Sequence, residues 1–140
     1  MARAIKSSRN GQSAWQRAGV AAAVARLWRA DPAAATVMSL VASACEVELT
    51  DLLQRSRCAA RIAAARQLAM YLANVKLGRT MTEIGQLFGR DRTTVSHACA
   101  LIEDRREGEF ELRIDAFEAA IDAALAEEGL FAGEATRVAG

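Results

Sequence analysis

The densest group of chemistry-bearing side chains is the run Arg90-Asp91-Arg92-Thr93-Thr94-Val95-Ser96-His97. Guanidinium and hydroxyl groups placed side by side bond base edges or phosphate, and a carboxylate among them accepts from cytosine or orients its neighbours. Further upstream, Arg66 and Gln67 stand near the start of a helical pattern, and Arg57 lies in a basic stretch. The rest of the sequence offers no Ser/His/Asp set and no carboxylate pair, so no enzyme is expected. His97 is the only histidine, and Cys45, Cys58 and Cys99 are far apart with no Cys-x-x-Cys pair. Neither a metal site nor a disulfide framework is expected from them, and no cofactor; they read as buried or idle thiols of a reducing cytosol.

The elements that must position the run are legible on either side of it. Thr80-Met81-Thr82-Glu83 is a capping box: Thr80 accepts from the Glu83 backbone N–H, and Glu83 reaches back. The helix it starts buries Met81, Ile84, Leu87 and Phe88 and stops at Gly89. Asp91 is a good N-cap for the next helix, which buries Val95, Ala98, Cys99 and Ile102. That leaves Arg92, Thr93, Ser96 and His97 facing outward. Two short helices joined by a glycine turn form a helix-turn-helix pattern over residues 80–104. Its second helix would offer its N-terminal residues to the major groove of duplex DNA. Ordinary helical hairpins share this spacing, so the spacing alone leaves a plain core hairpin open.

Around this hairpin the chain reads as all-α. There are 32 alanines and one proline among 140 residues, and β-branched alternation is scarce. Residues 1–13 read as a disordered polar start. An amphipathic helix over 14–31 carries Val20, Val24, Leu27 and Trp28, with Arg17, Arg26 and Arg29 mostly elsewhere, and ends near Asp31-Pro32. A second helix places Val37, Leu40, Val41 and Ala44 on one face; Leu49, Leu52 and Leu53 suggest one tight helical turn. Residues 55–60 read as a basic loop. A long helix over 61–77 carries the stripe Leu68, Tyr71, Leu72 and Val75, with Gly78 as C-cap. The last helix, in the segment 107–129, lines up Phe110, Ile114, Phe117, Ile121 and Leu125 opposite its acids. That stripe suits either the chain's own core or a homodimer seam. Residues 130–140 read as a flexible tail.

Charge is uneven along the chain. Residues 55–106 hold ten Arg+Lys against four Asp+Glu, whereas 107–140 hold two against nine. A basic middle followed by an acidic end suggests that the middle meets a polyanion, unless these are merely solvated helix faces. No apolar run approaches the ~20 residues that span a bilayer, so no membrane partner is expected and a cytoplasmic, nucleoid location is.

The stretch from Val37 to Asp104 resembles the C-terminal DNA-binding domain of the bacterial replication initiator DnaA. The resemblance rests on Asp51-Leu52-Leu53, on Arg66 through Ala73, on Glu83-Ile84-Gly85, on Phe88-Gly89-Arg90-Asp91, on Thr93-Thr94-Val95 and on His97-Ala98-Cys99. It implies a DnaA C-terminal/TrpR-like helical domain over 32–106 that binds double-stranded DNA. It further implies that Asp91, Arg92 and Thr93 address bases, that Thr94, Arg66 and Gln67 hold phosphates, and that Arg57 enters the minor groove. Arg90 and His97 complete the candidate surface. Arg66 and Arg57 are expected to be exposed.

Three departures from the family stand out. One glycine precedes Arg90-Asp91 where the family commonly has two; Arg92 replaces the usual histidine; and the basic loop is about one residue longer. Arginine favours guanine, so the target is expected to shift. No phosphate-cradling P-loop is present, and only 36 residues precede Val37. The expectation is therefore the address-reading module as a stand-alone protein, without an ATPase domain and without bound nucleotide. A transcriptional regulator or a competitor at replication-initiator sites fits this reading. The alternatives are a protein-interaction adaptor that retains the fold alone and a nonspecific nucleoid-associated protein.

Overall fold

The computed structural model describes residues 14–54 and 59–129. The expected disordered start (1–13), the flexible tail (130–140) and Arg57 lie outside them, as do the side chains of Arg17 and Val20. The described residues form seven helices and no strand: α1 (Ala14–Ala30), α2 (Pro32–Ala44), α3 (Leu49–Leu53), α4 (Ala60–Leu77), α5 (Met81–Phe88), α6 (Arg92–Asp104) and α7 (Gly108–Glu128). The all-α expectation holds.

Helix boundaries follow local chemistry. Asp31 ends α1 and caps α2, its Oδ1 accepting from the Ala34 N–H at 3.1 Å. Pro32 takes the first position of α2, where its missing N–H costs nothing and its fixed φ suits a helix. Asp31 also receives Arg79 through two bonds of 2.9 Å each, which ties the α1–α2 junction to the start of α5. Gly78 closes α4 with φ 70°: its N–H bonds Asn74 O, and the Arg79 N–H reaches back to Ala73 O.

The core gathers around α4, which packs against α6 and α2. Leu68 through Ala73 are all buried, together with Val37, Met38 and Val41 of α2 and Phe88, Val95 and Ile102 of the hairpin. Fully burying a side chain of this size is worth about 1.5–3 kcal/mol relative to leaving it exposed. Three stripe positions depart from expectation. Trp28 near the end of α1 is 40% exposed, Val75 in the last turns of α4 is 43% exposed, and Ala44 at the end of α2 is exposed. All three sit near helix ends, where the periodic pattern outruns the neighbouring elements.

Helix α7 lies on α2 and α4. Ile114, Phe117, Ile121 and Leu125 are buried within the chain's own core. Of the two readings of this stripe, own core or homodimer seam, these four residues take the first. Thr36 donates to Glu128 at 2.8 Å and pins the far end of α7 to α2. The thiols of Cys45 and Cys99 are unpaired, and burial pushes both up, so they stay protonated at neutral pH. No helix among the described residues is long and apolar enough to cross a membrane.

Candidate nucleic-acid interface

The hairpin forms as its residues dictate. In the capping box, Glu83 N–H donates to Thr80 Oγ1 at 3.1 Å, and Thr80 N–H donates to Glu83 Oε1 at 2.9 Å. Helix α5 buries Ile84 and Phe88, and Gly89 leaves it in the left-handed region at φ 68°. The turn then folds back so closely that Arg90 N–H bonds Gly85 O at 2.8 Å. A β-carbon on Gly85 would stand 2.4 Å from Arg90 O. Glycine is therefore required there for backbone approach, a role that sequence reasoning missed.

Asp91 then opens α6. Its Oδ1 accepts from the Thr94 N–H at 2.9 Å. That bond, with help from the Thr94 hydroxyl and the Thr93 N–H, holds the carboxyl below the usual carboxylate range. Asp91 is thus an ionised cap that orients the first turn of α6. Val95, Ala98, Cys99 and Ile102 face inward. Asp91, Arg92, Thr93, Thr94, Ser96 and His97 are all exposed. No carboxylate of the described residues forms an ion pair with Arg92.

Between α4 and this edge lies a cleft of about 370 Å³. Arg66 and Gln67 line it from α4, Thr93, Thr94 and His97 from α6, and Arg90 from the turn, with Met70 and Ala98 among its apolar walls. Six expected site residues therefore meet in one concavity.

Two of them are not presented as expected. Arg66 is only 7% exposed rather than solvent-facing. Its Nε donates to Leu52 O at 3.0 Å, and its Nη2 donates to Asp51 O at 3.2 Å and Gln54 O at 3.4 Å. These are carbonyls at the C-terminal end of α3, which has no room for four helical acceptor partners of its own. Arg90 is half-buried, and its Nη2 donates to the same Gln54 O at 2.9 Å. Both guanidiniums thus clamp the end of α3, from which the chain enters the stretch carrying Arg57.

The basic middle is also less available than its count implied. Lys76 pairs with Asp122 at 3.0 Å and Arg79 with Asp31. Arg106 bonds three carboxylates of α7, Glu111, Asp115 and Glu118, at 2.9–3.1 Å. It also donates to Tyr71 Oη at 2.8 Å while Tyr71 donates to Glu103 at 2.6 Å. Burial and the bond to Glu103 push the Tyr71 phenol up, so it remains a donor at neutral pH. Sequence reasoning missed this network, yet one signal was present: Glu111, Asp115 and Glu118 recur at i, i+4, i+7 and so share a helix face.

A family described as the bacterial dnaA protein helix-turn-helix matches residues 34–102, from the first turn of α2 to the last turn of α6. The matched segment contains the capped hairpin, the exposed edge of α6 and the α4 wall of the cleft. Residues 34–102 are thus a DnaA C-terminal-like helix-turn-helix domain, and that family supports DNA binding in general.

Proposed function

We propose that this protein is a sequence-specific binder of double-stranded DNA that regulates transcription or occupies sites a replication initiator would use. The observation that carries the reading is the exposed Arg92-Thr93 edge, capped by ionised Asp91 and opening onto the cleft with Gln67, Thr94 and His97. In the complex the N-terminal turn of α6 lies in the major groove. Arg92 bonds guanine O6 and N7, Thr93 meets a neighbouring base, and Asp91 accepts from cytosine or holds the two in register. Thr94, Gln67 and His97 hold phosphate along the rim. Arg66 and Arg90 act behind them by fixing the end of α3, and Arg57 reads the minor groove from the stretch that follows.

Selection from a pool of random duplexes at near-physiological salt tests this. The expected result is an enriched motif with a guanine whose preference disappears in Arg92→Ala. Retention without any motif, lost on raising salt, would make the protein a nonspecific nucleoid binder. No retention at all would leave the fold as a protein-interaction adaptor.

A further inference from the structure

Helix α1 precedes the matched segment and packs on α2 and α3. Its C-terminal end shares a cleft with Arg79 and Glu83 at the start of α5, where the Asp31–Arg79 pair fastens it. Ala23, Arg26, Leu27 and Ala30 line a second cleft, of about 320 Å³, together with Leu53 of α3 and with Gln86, Phe88 and Gly89 at the end of α5. Leu27 is 5% exposed and fixes the rotation of α1 about its axis. Arg26 lines this cleft together with Gly89, which lies two residues before the Asp91 cap. It is exposed, and it forms no ion pair with a described carboxylate.

We infer that Arg26 contacts a backbone phosphate on the flank of the bound duplex, extending the footprint past the bases that α6 reads. The inference rests on the reading above, since it needs α6 in the groove. A turn that delivers α6 to the bases must itself lie close to the duplex, and the α1 cation that shares a cleft with that turn has no carboxylate partner among the described residues. The contact is with phosphate, so it adds affinity on every flanking sequence without adding specificity.

The test compares wild type, Arg26→Ala, Arg26→Lys and Arg29→Ala on the selected core site and on the same core extended by five base pairs at either end. Arg29 is exposed on the same helix but lines neither cleft, so its removal changes the charge equally. Wild type should bind one extended duplex more tightly than the core, Arg26→Ala should lose that gain, and Arg26→Lys should retain most of it. The slope of log K against log salt should fall by about 0.9 in Arg26→Ala, which makes its affinity difference from wild type change roughly threefold between 50 and 200 mM. Arg29→Ala should keep the gain. Retention of the gain by Arg26→Ala, or equal loss in Arg29→Ala, would overturn the inference while leaving base reading by α6 intact. Failure of wild type to select any site would overturn both.

Discussion

Gly85→Ala tests whether the approach of the turn to α5 limits the hairpin. The new β-carbon would lie 2.4 Å from Arg90 O and 3.5 Å from Asp91 C, both backbone atoms that cannot swing aside like a side chain. Reaching an ordinary contact of about 3.4 Å means moving the turn by roughly 1 Å. That displacement also stretches the 2.8 Å bond from Arg90 N–H to Gly85 O, worth about 1 kcal/mol. Overpacking costs about 1–3 kcal/mol, and the better helix propensity of alanine returns about 1 kcal/mol. The net expectation is about 2 kcal/mol of destabilisation, or a Tm roughly 6–8 °C lower for a chain of this size. Because Asp91 and Arg92 follow directly, DNA affinity should fall even where the variant is fully folded. Gly19→Ala is the control: it lies within α1, and a β-carbon there would meet no heavy atom within 4 Å, so it should raise stability by up to about 1 kcal/mol. Thermal melts followed by circular dichroism, paired with binding at 20 °C below each midpoint, decide it. If Gly85→Ala melted at or above wild type with unchanged affinity, the close approach would not constrain the turn.

Arg66→Ala should cost about 2–3 kcal/mol by removing the buried guanidinium that donates to the carbonyls of Asp51, Leu52 and Gln54, whereas exposed Arg92→Ala should leave the melt within about 0.5 kcal/mol of wild type; denaturant titration separates the two. Burial alone raises the Asp31 carboxyl, but the hydrogen bonds from Arg79 and the Ala34 N–H outweigh it, and the net pKa lies below the ordinary value. A depressed folded pKa gives stability that is complete above the unfolded value near 3.9 and is lost as pH falls through the folded one. Asp31→Asn should therefore flatten the acid limb of the stability–pH curve below about pH 5, and an unchanged limb would refute the assignment. Tyr71→Phe removes the hydroxyl between Glu103 and Arg106 and should cost about 1–2 kcal/mol in a chemical melt, with little change in sequence preference. Of the ten basic residues in 55–106, Arg66, Lys76, Arg79, Arg90 and Arg106 are committed internally, so the salt slope from this region should be no steeper than about −5; a value near −9 would mean that all ten meet phosphate.

Local signals carried most of the fold. The Thr80 box, the Gly89 turn, the Asp91 cap and the Gly78 stop each concern atoms within a few residues of one another, so their chemistry is readable in the chain itself. The inward sets Val95, Ala98, Cys99, Ile102 and Ile114, Phe117, Ile121, Leu125 were readable for the same reason, because helical periodicity is a local property. What could not be read was which long side chain would find a distant acceptor. Arg66 and Arg92 are equally basic in sequence, yet one lies against the carbonyl end of α3 and the other projects from the first turn of α6. Nothing within four residues of either distinguishes them. The α7 stripe was likewise readable as apolar, while the choice between its own core and a second copy depended on where α2 would lie.

Charge shows most clearly why the count of residues is a poor guide to the interface. An arginine already held by several carbonyl or carboxylate oxygens gains little from phosphate, because it would exchange satisfied partners for similar ones and leave the old ones buried without a donor. Arg106 is in that position: its partners Glu111, Asp115 and Glu118 keep α7 against the end of α6, and withdrawing it would free three like charges on one helix face. Four carboxylates of the acidic C-terminal helix thus serve as internal counter-charge to two cations of the basic middle, Lys76 and Arg106. An outward cation such as Arg92 faces no such exchange and gives up only water and counterions. On the proposed reading, specificity therefore falls to outward groups on the first turn of α6 and the rim beside it, Arg92 and Thr93 first among them.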